Sequence, residues 1–141
     1  MSRSGYDEDY GEDFPNQLAL YRGNVDRALT GKRGQSFLKD LAGALDAMPN
    51  KRLVASAFES DGEVCALGAI GKARGIALPQ GDDFDSLDIN YRALAGQFGV
   101  AEPLAREIVW TNDESGYQTE TPEARWTRMR AWVASNLVRS A

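Results

Sequence analysis

The side chains able to do chemistry in this sequence are carboxylates, a few amines and one thiol. Histidine is absent, which removes Ser-His-Asp and Cys-His nucleophilic sites, histidine proton shuttles and histidine-bound zinc or iron. The single cysteine, Cys65, excludes an internal disulfide and a cysteine-rich zinc site, and it fits a reducing compartment. Acid–base chemistry would have to run on Asp, Glu, Lys or Tyr, or on an oxygen-bound ion such as magnesium. The expectation is a non-catalytic protein with no cofactor and no metal. An enzyme using Asp113 and Glu114 with a divalent ion is the alternative.

Four clusters are weighed against that background. Gly31-Lys32-Arg33-Gly34 precedes a helical pattern, and backbone N–H groups beside Lys and Arg are the parts of an anion site. The spacing and terminal Lys-Ser/Thr of a phosphate-binding P-loop are missing, so the stretch reads as an interhelical turn. As a ligand site, Lys32, Arg33 and Gly34 would hold a nucleotide or signalling molecule with Trp110 as a stacking surface. Asp82, Asp83, Asp85 and Asp88 crowd one segment but lack the glycine and closing glutamate of a calcium loop, so they read as helix capping and surface charge. Asn112, Asp113 and Glu114 beside Trp110 read as a turn between helices, or as acceptors for a partner. Cys65 has apolar neighbours Val64 and Leu67 and reads as a buried thiol. Trp110, Trp126 and Trp132 read as anchors at the core or its edge.

The elements that must position these groups are mostly helical. At 141 residues with 43% hydrophobic and 26% charged side chains, the chain is sized for one domain with one core. Residues 1–14 form an acidic arm ahead of a helical domain at 15–141. Arg3 stands against Asp7, Glu8, Asp9, Glu12 and Asp13, so residues 1–13 hold −4 of the total net charge of −5. With few aliphatics, this arm is expected to be disordered alone. Leu18, Tyr21, Val25, Ala28 and Leu29 recur at helical spacing after Pro15-Asn16. Phe37, Leu38, Leu41, Leu45 and Met48 do so before Pro49.

Residues 51–75 are ambiguous. Leu53, Val54, Ala57 and Phe58 suggest a short helix, while Val54, Ser56 and Phe58 alternate as in a strand. We read a helix there and another over Glu63–Arg74, whose small residues would let a neighbouring helix approach closely. A hairpin across Asp61-Gly62 is the alternative. Asp85 or Ser86 is expected to cap a helix carrying Leu87, Tyr91, Leu94 and Phe98 that Gly99 ends. Another helix runs from about Ala101 to near Trp110, a polar loop spans Thr111–Thr121, and Thr121-Pro122-Glu123 opens the last helix. That helix buries Trp126, Met129, Val133 and Leu137, with Arg125, Arg128 and Arg130 on other faces. The fold expected is mainly α: a compact bundle of five to seven short helices, with a short β-hairpin around residues 52–70 as the variant.

Two segments, Asp61-Gly62-Glu63-Val64-Cys65-Ala66-Leu67-Gly68-Ala69-Ile70 and Asn112-Asp113-Glu114 followed by Thr121-Pro122-Glu123, resemble small uncharacterised proteins of bacteriophages, prophages and bacteria. Those share a Cys-x-Leu-Gly-Ala helix, an Asn-Asp loop and a Thr-Pro-Glu-led last helix. The resemblance spans roughly the C-terminal three fifths, and it carries no catalytic residue. It implies a bacterial cytoplasmic setting and a binding function, such as inhibition of a host defence or nucleic-acid-processing complex in the manner of anti-CRISPR proteins. The partner expected is a host protein complex with a basic surface, met by Asp7, Glu8, Asp9, Glu12, Asp13, Asp82, Asp83, Asp85, Asn112, Asp113 and Glu114. Net charge disfavours direct nucleic-acid binding, and no stretch is long and apolar enough for a membrane span.

Overall fold

The computed structural model describes residues 14–78, 89–114 and 119–138. Among them are six helices and one two-stranded sheet: α1 (Phe14–Thr30), α2 (Lys32–Ala47), β1 (Glu59–Ser60), β2 (Glu63–Val64), α3 (Ala66–Ala73), α4 (Tyr91–Phe98), α5 (Glu102–Glu114) and α6 (Pro122–Asn136). The acidic arm of residues 1–13 and the acids Asp82, Asp83 and Asp85 lie outside the described residues.

The mainly helical class is as expected, and so is the β-hairpin variant. The helix read over 51–58 does not form, and α3 starts at Ala66 rather than Glu63. Glu59 pairs with Val64 and Ser60 with Glu63, leaving Asp61-Gly62 as a two-residue loop with φ of 53° and 81°. Positive φ at both loop residues is the geometry that matches the right-handed twist of the flanking strands, and glycine accepts it without strain. The Asp-Gly signal therefore outweighs the helical periodicity on either side of it.

Helices α1, α3 and α6 each pack against both α2 and α5, while α4 packs on α5. The shared core draws Phe37, Leu38, Leu41 and Leu45 from α2, Leu104, Ile108 and Val109 from α5, and Met129 and Val133 from α6. Each such side chain contributes about 1.5–3 kcal/mol on leaving water. Phe37 meets Phe98 edge to face at 5.8 Å, tying α2 to α4.

Two glycines are explained by close approach. A Cβ at Gly34 would collide with the Ala28 carbonyl oxygen, where α1 and α2 turn on the single linking residue Gly31. A Cβ at Gly68 would collide with the Phe58 carbonyl oxygen, because the hairpin crosses the first turn of α3. The small-residue character of α3 also lets α2 pack along it, as expected.

Several helix C-termini, whose last carbonyls have no intrahelical partner, are closed by side chains from outside the helix. Lys51 Nζ donates to the Asp46 and Met48 carbonyls, and Trp126 Nε1 donates to Leu45 O at 3.1 Å. Arg74 Nη1 reaches Phe98 O at 3.0 Å. Gln35 donates to Leu29 O and Asn136 O and accepts from Val138 N–H, pinning the end of α6 to the α1–α2 corner.

Candidate functional site

Asn112 and Asp113 were expected in a loop, facing a partner. They lie instead in the last turn of α5, which continues to Glu114. Asn112 is 0% exposed. Its Oδ1 accepts the Ala66 N–H at 3.0 Å and its Nδ2 donates to Val54 O at 2.9 Å. Asp113 Oδ1 accepts the N–H of Ser56 at 3.0 Å, a non-glycine residue held at φ 63°. Asn112 thus does not present itself to a partner: it satisfies the buried first N–H of α3 and fixes the irregular segment 54–56. Glu114 is exposed.

Cys65 completes the same point. It is the extended residue before α3, and its Sγ accepts the Gly68 N–H at 3.3 Å, the role a serine or asparagine plays at a helix start. The buried-thiol expectation holds, since Cys65 is fully buried. The last motif joins too. Pro122 O accepts the Leu53 N–H at 3.1 Å, and Arg125 Nη1 donates to Leu53 O at 3.0 Å. The three short motifs, 65–69, 112–113 and 121–123, converge on residues 53–56 and the start of α3. Their residue types are accounted for by one folding junction.

Arg125, expected on an outer face, is buried. Glu120, 8% exposed in its side chain, lies between Arg125 Nε at 3.3 Å and Arg128, which grips it through Nε at 2.7 Å and Nη2 at 2.9 Å. The paired hydrogen bond from Arg128 holds the Glu120 carboxyl below the usual carboxylate range, with the charges of Arg128 and Arg125 adding to it against the opposing effect of burial. Arg128 also donates to Thr111 O at 2.6 Å and Asn112 O at 3.1 Å, closing the end of α5 where its dipole is negative. Nothing in the spacing of the arginines pointed to this cluster. An acid five to eight residues ahead of two arginines across a helix start was the available signal.

The alternative ligand residues stand on two helices, α2 and α5. Lys32 and Arg33 are exposed in the first turn of α2, Gly34 is buried against α1, and Trp110 is half-buried on α5. None of them lines the groove beside the end of α2 or the small cavity beside α3. Thr121 caps α6 as expected, with Pro122 at its first position. The cap of α4 is Asn90, whose Oδ1 accepts the Ala93 N–H at 3.0 Å, rather than Asp85 or Ser86.

The larger cavity is an open groove of about 420 Å³. Ala44, Ala47, Met48 and Pro49 at the end of α2 form one wall, Gly62 to Val64 of the hairpin the second, and Ala69 to Ala73 of α3 the third, with Arg52 crossing from the linking segment. Arg52 Nε donates to Glu63 at 3.0 Å and its Nη1 to Glu123; Lys72 pairs with Glu59 at 2.7 Å. Sequence reasoning missed this groove, although alanines three and four apart on consecutive helices are its trace. The smaller cavity, about 150 Å³, lies between α3 and residues 76–78. Among the described residues no three Cys, Asp or Glu side chains gather as a metal centre would require, and no helix is long and apolar enough to cross a membrane. Neither a family model, nor a curated protein, nor a solved structure matches the chain.

Proposed function

We propose that this chain is a non-catalytic protein-binding module of phage or prophage type that captures a basic surface on a host nucleic-acid-processing or defence complex. The observation that supports the reading is the fate of the basic side chains. Arg22, Lys51, Arg52, Lys72, Arg74, Arg106, Arg125, Arg128 and Arg130 all engage carboxylates or carbonyls of their own chain. Arg22, for example, forks onto the buried Glu107 at 2.6 and 3.0 Å. Among the described residues these cations are thereby occupied inside the domain, while −4 of the net charge belongs to residues 1–13. Association driven by such a concentration of negative charge is steered electrostatically and weakened by salt.

The test uses the full chain as bait in a bacterial lysate at low and high salt, beside a variant lacking residues 1–13 with Asp82, Asp83 and Asp85 changed to Asn and Ser. The expected result is one basic complex recovered at low salt, lost at high salt and lost by the variant. Recovery unaffected by the variant, or no basic complex at low salt, overturns the reading.

A further inference from the structure

The cations that hold no carboxylate of their own domain are grouped mostly in one place. Among the described residues, Arg27, Lys32, Arg33, Lys39 and Arg92 engage neither a carboxylate nor a backbone carbonyl, and Arg27 bonds only the neutral amide of Asn24. All but Arg92 fall between residues 27 and 39, at the α1–α2 corner and along the first half of α2. Lys32, Ser36 and Lys39 recur at helical spacing and are exposed, so they share the face of α2 turned away from the buried Phe37, Leu38 and Leu41. Arg33, also exposed, flanks that face.

Neighbouring acids do not neutralise it. Asp40 is paired with Arg74 at 2.8 Å, and Asp26 makes no ion pair among the described residues. Residues 26–39 thus hold four cations against one acid. Gly31 stands at the start of α2 without a side-chain cap, so the positive end of the helix dipole adds to the same potential.

We infer that this face of α2 is the docking surface for the chain's own acidic segment, with Asp7, Glu8 and Asp9 set against Lys32, Arg33 and Lys39. Residues 1–13, outside the described residues, carry −4, and these three carboxylates are consecutive in them. Chain length permits the contact. The 17 residues of α1 span about 25 Å, the farthest that Phe14 can lie from the corner. Asp7 precedes Phe14 by seven residues, which cover roughly 23–25 Å when extended, and the four-carbon stem of lysine closes the remainder. Exposed ion pairs are individually weak, but so short a tether makes the encounter intramolecular, at an effective concentration in the millimolar range. Carboxylates 7–9 then already have a cationic partner, and an external surface must be more strongly basic than α2 to displace it. The contact belongs to the isolated chain, so it can fail while partner capture stands, and the reverse.

The test places a nitroxide on the full chain through Ser4→Cys, three residues from Asp7; Cys65 is fully buried and does not compete for the label. Paramagnetic broadening of the amides is compared with that in the triple variant Lys32→Gln, Arg33→Gln, Lys39→Gln, whose changes are all at exposed positions. At low ionic strength the amides of residues 31–40 should be broadened roughly twofold or more above the variant, and at 1 M salt, where the screening length is about 3 Å, the difference should vanish. Equal broadening in parent and variant, or broadening indifferent to salt, overturns the assignment. So does broadening that passes between molecules in a mixture of nitroxide-labelled and isotope-labelled chains, because the segment would then dock on a second copy.

Discussion

Replacing Asn112 by alanine removes the partner of two backbone groups that lie far away in sequence. The Ala66 N–H, at the fully buried start of α3, loses its only acceptor shown in the structure, and the half-buried Val54 carbonyl loses a donor. A buried polar group left unsatisfied costs about 1–3 kcal/mol. The Ala66 group is charged near the upper end and the Val54 group, which water can reach, near the lower end. The sum is about 4 kcal/mol, which for a domain of this size is a fall of roughly 14 °C in Tm. Urea unfolding of Asn112→Ala beside Lys39→Ala measures it. The control alters an exposed side chain and should stay within about 0.5 kcal/mol of the parent. An unchanged slope with a lower midpoint assigns the loss to the native state. A loss under about 1 kcal/mol would refute the junction as drawn, since the α3 start and segment 54–56 would then be held by other contacts.

Two glycine substitutions in α2 should act in opposite directions. Gly34→Ala drives a Cβ into the Ala28 carbonyl and should cost about 2 kcal/mol, whereas Gly43→Ala meets nothing within 4 Å on an exposed helix interior and should gain about 0.5–1 kcal/mol; thermal melts that rank the pair the other way would reject the α1–α2 packing. Because the folded Glu120 carboxyl is held below its ordinary value of 4.5, the unfolded chain takes up that proton first as acid is added. The contribution of Glu120 is therefore complete above that value and is lost as pH falls below it. Glu120→Gln should cost about 3 kcal/mol at neutral pH by leaving two arginines without their carboxylate, and stability measured from pH 7 to 3 should decline less steeply in the variant; equal slopes would refute the assignment.

Sequence alone determined what depends on neighbours within a turn or two. The apolar stripes of α1, α2 and α6, the Thr121-Pro122 start of α6 and the end of α4 at Gly99 are local signals, and the structure places those elements accordingly. Asp61-Gly62 was such a signal too, underweighted because the surrounding apolar residues also repeat at helical spacing. Residue type likewise set the exclusion of histidine chemistry and the concentration of negative charge in the first thirteen residues.

Tertiary structure decided which polar residues face outward. Asn112 and Asp113 have the composition of a turn, yet they bond to groups 46 to 58 residues away. Arg125 has the composition of a surface residue, yet it crosses to Leu53, 72 residues away. The groove is likewise assembled from the end of one helix, a hairpin and another helix. A polar side chain can bond its own backbone, water or a distant strand with comparable energy. The choice among them is made only when packing removes water from one side of the residue and brings a particular backbone group within 3 Å.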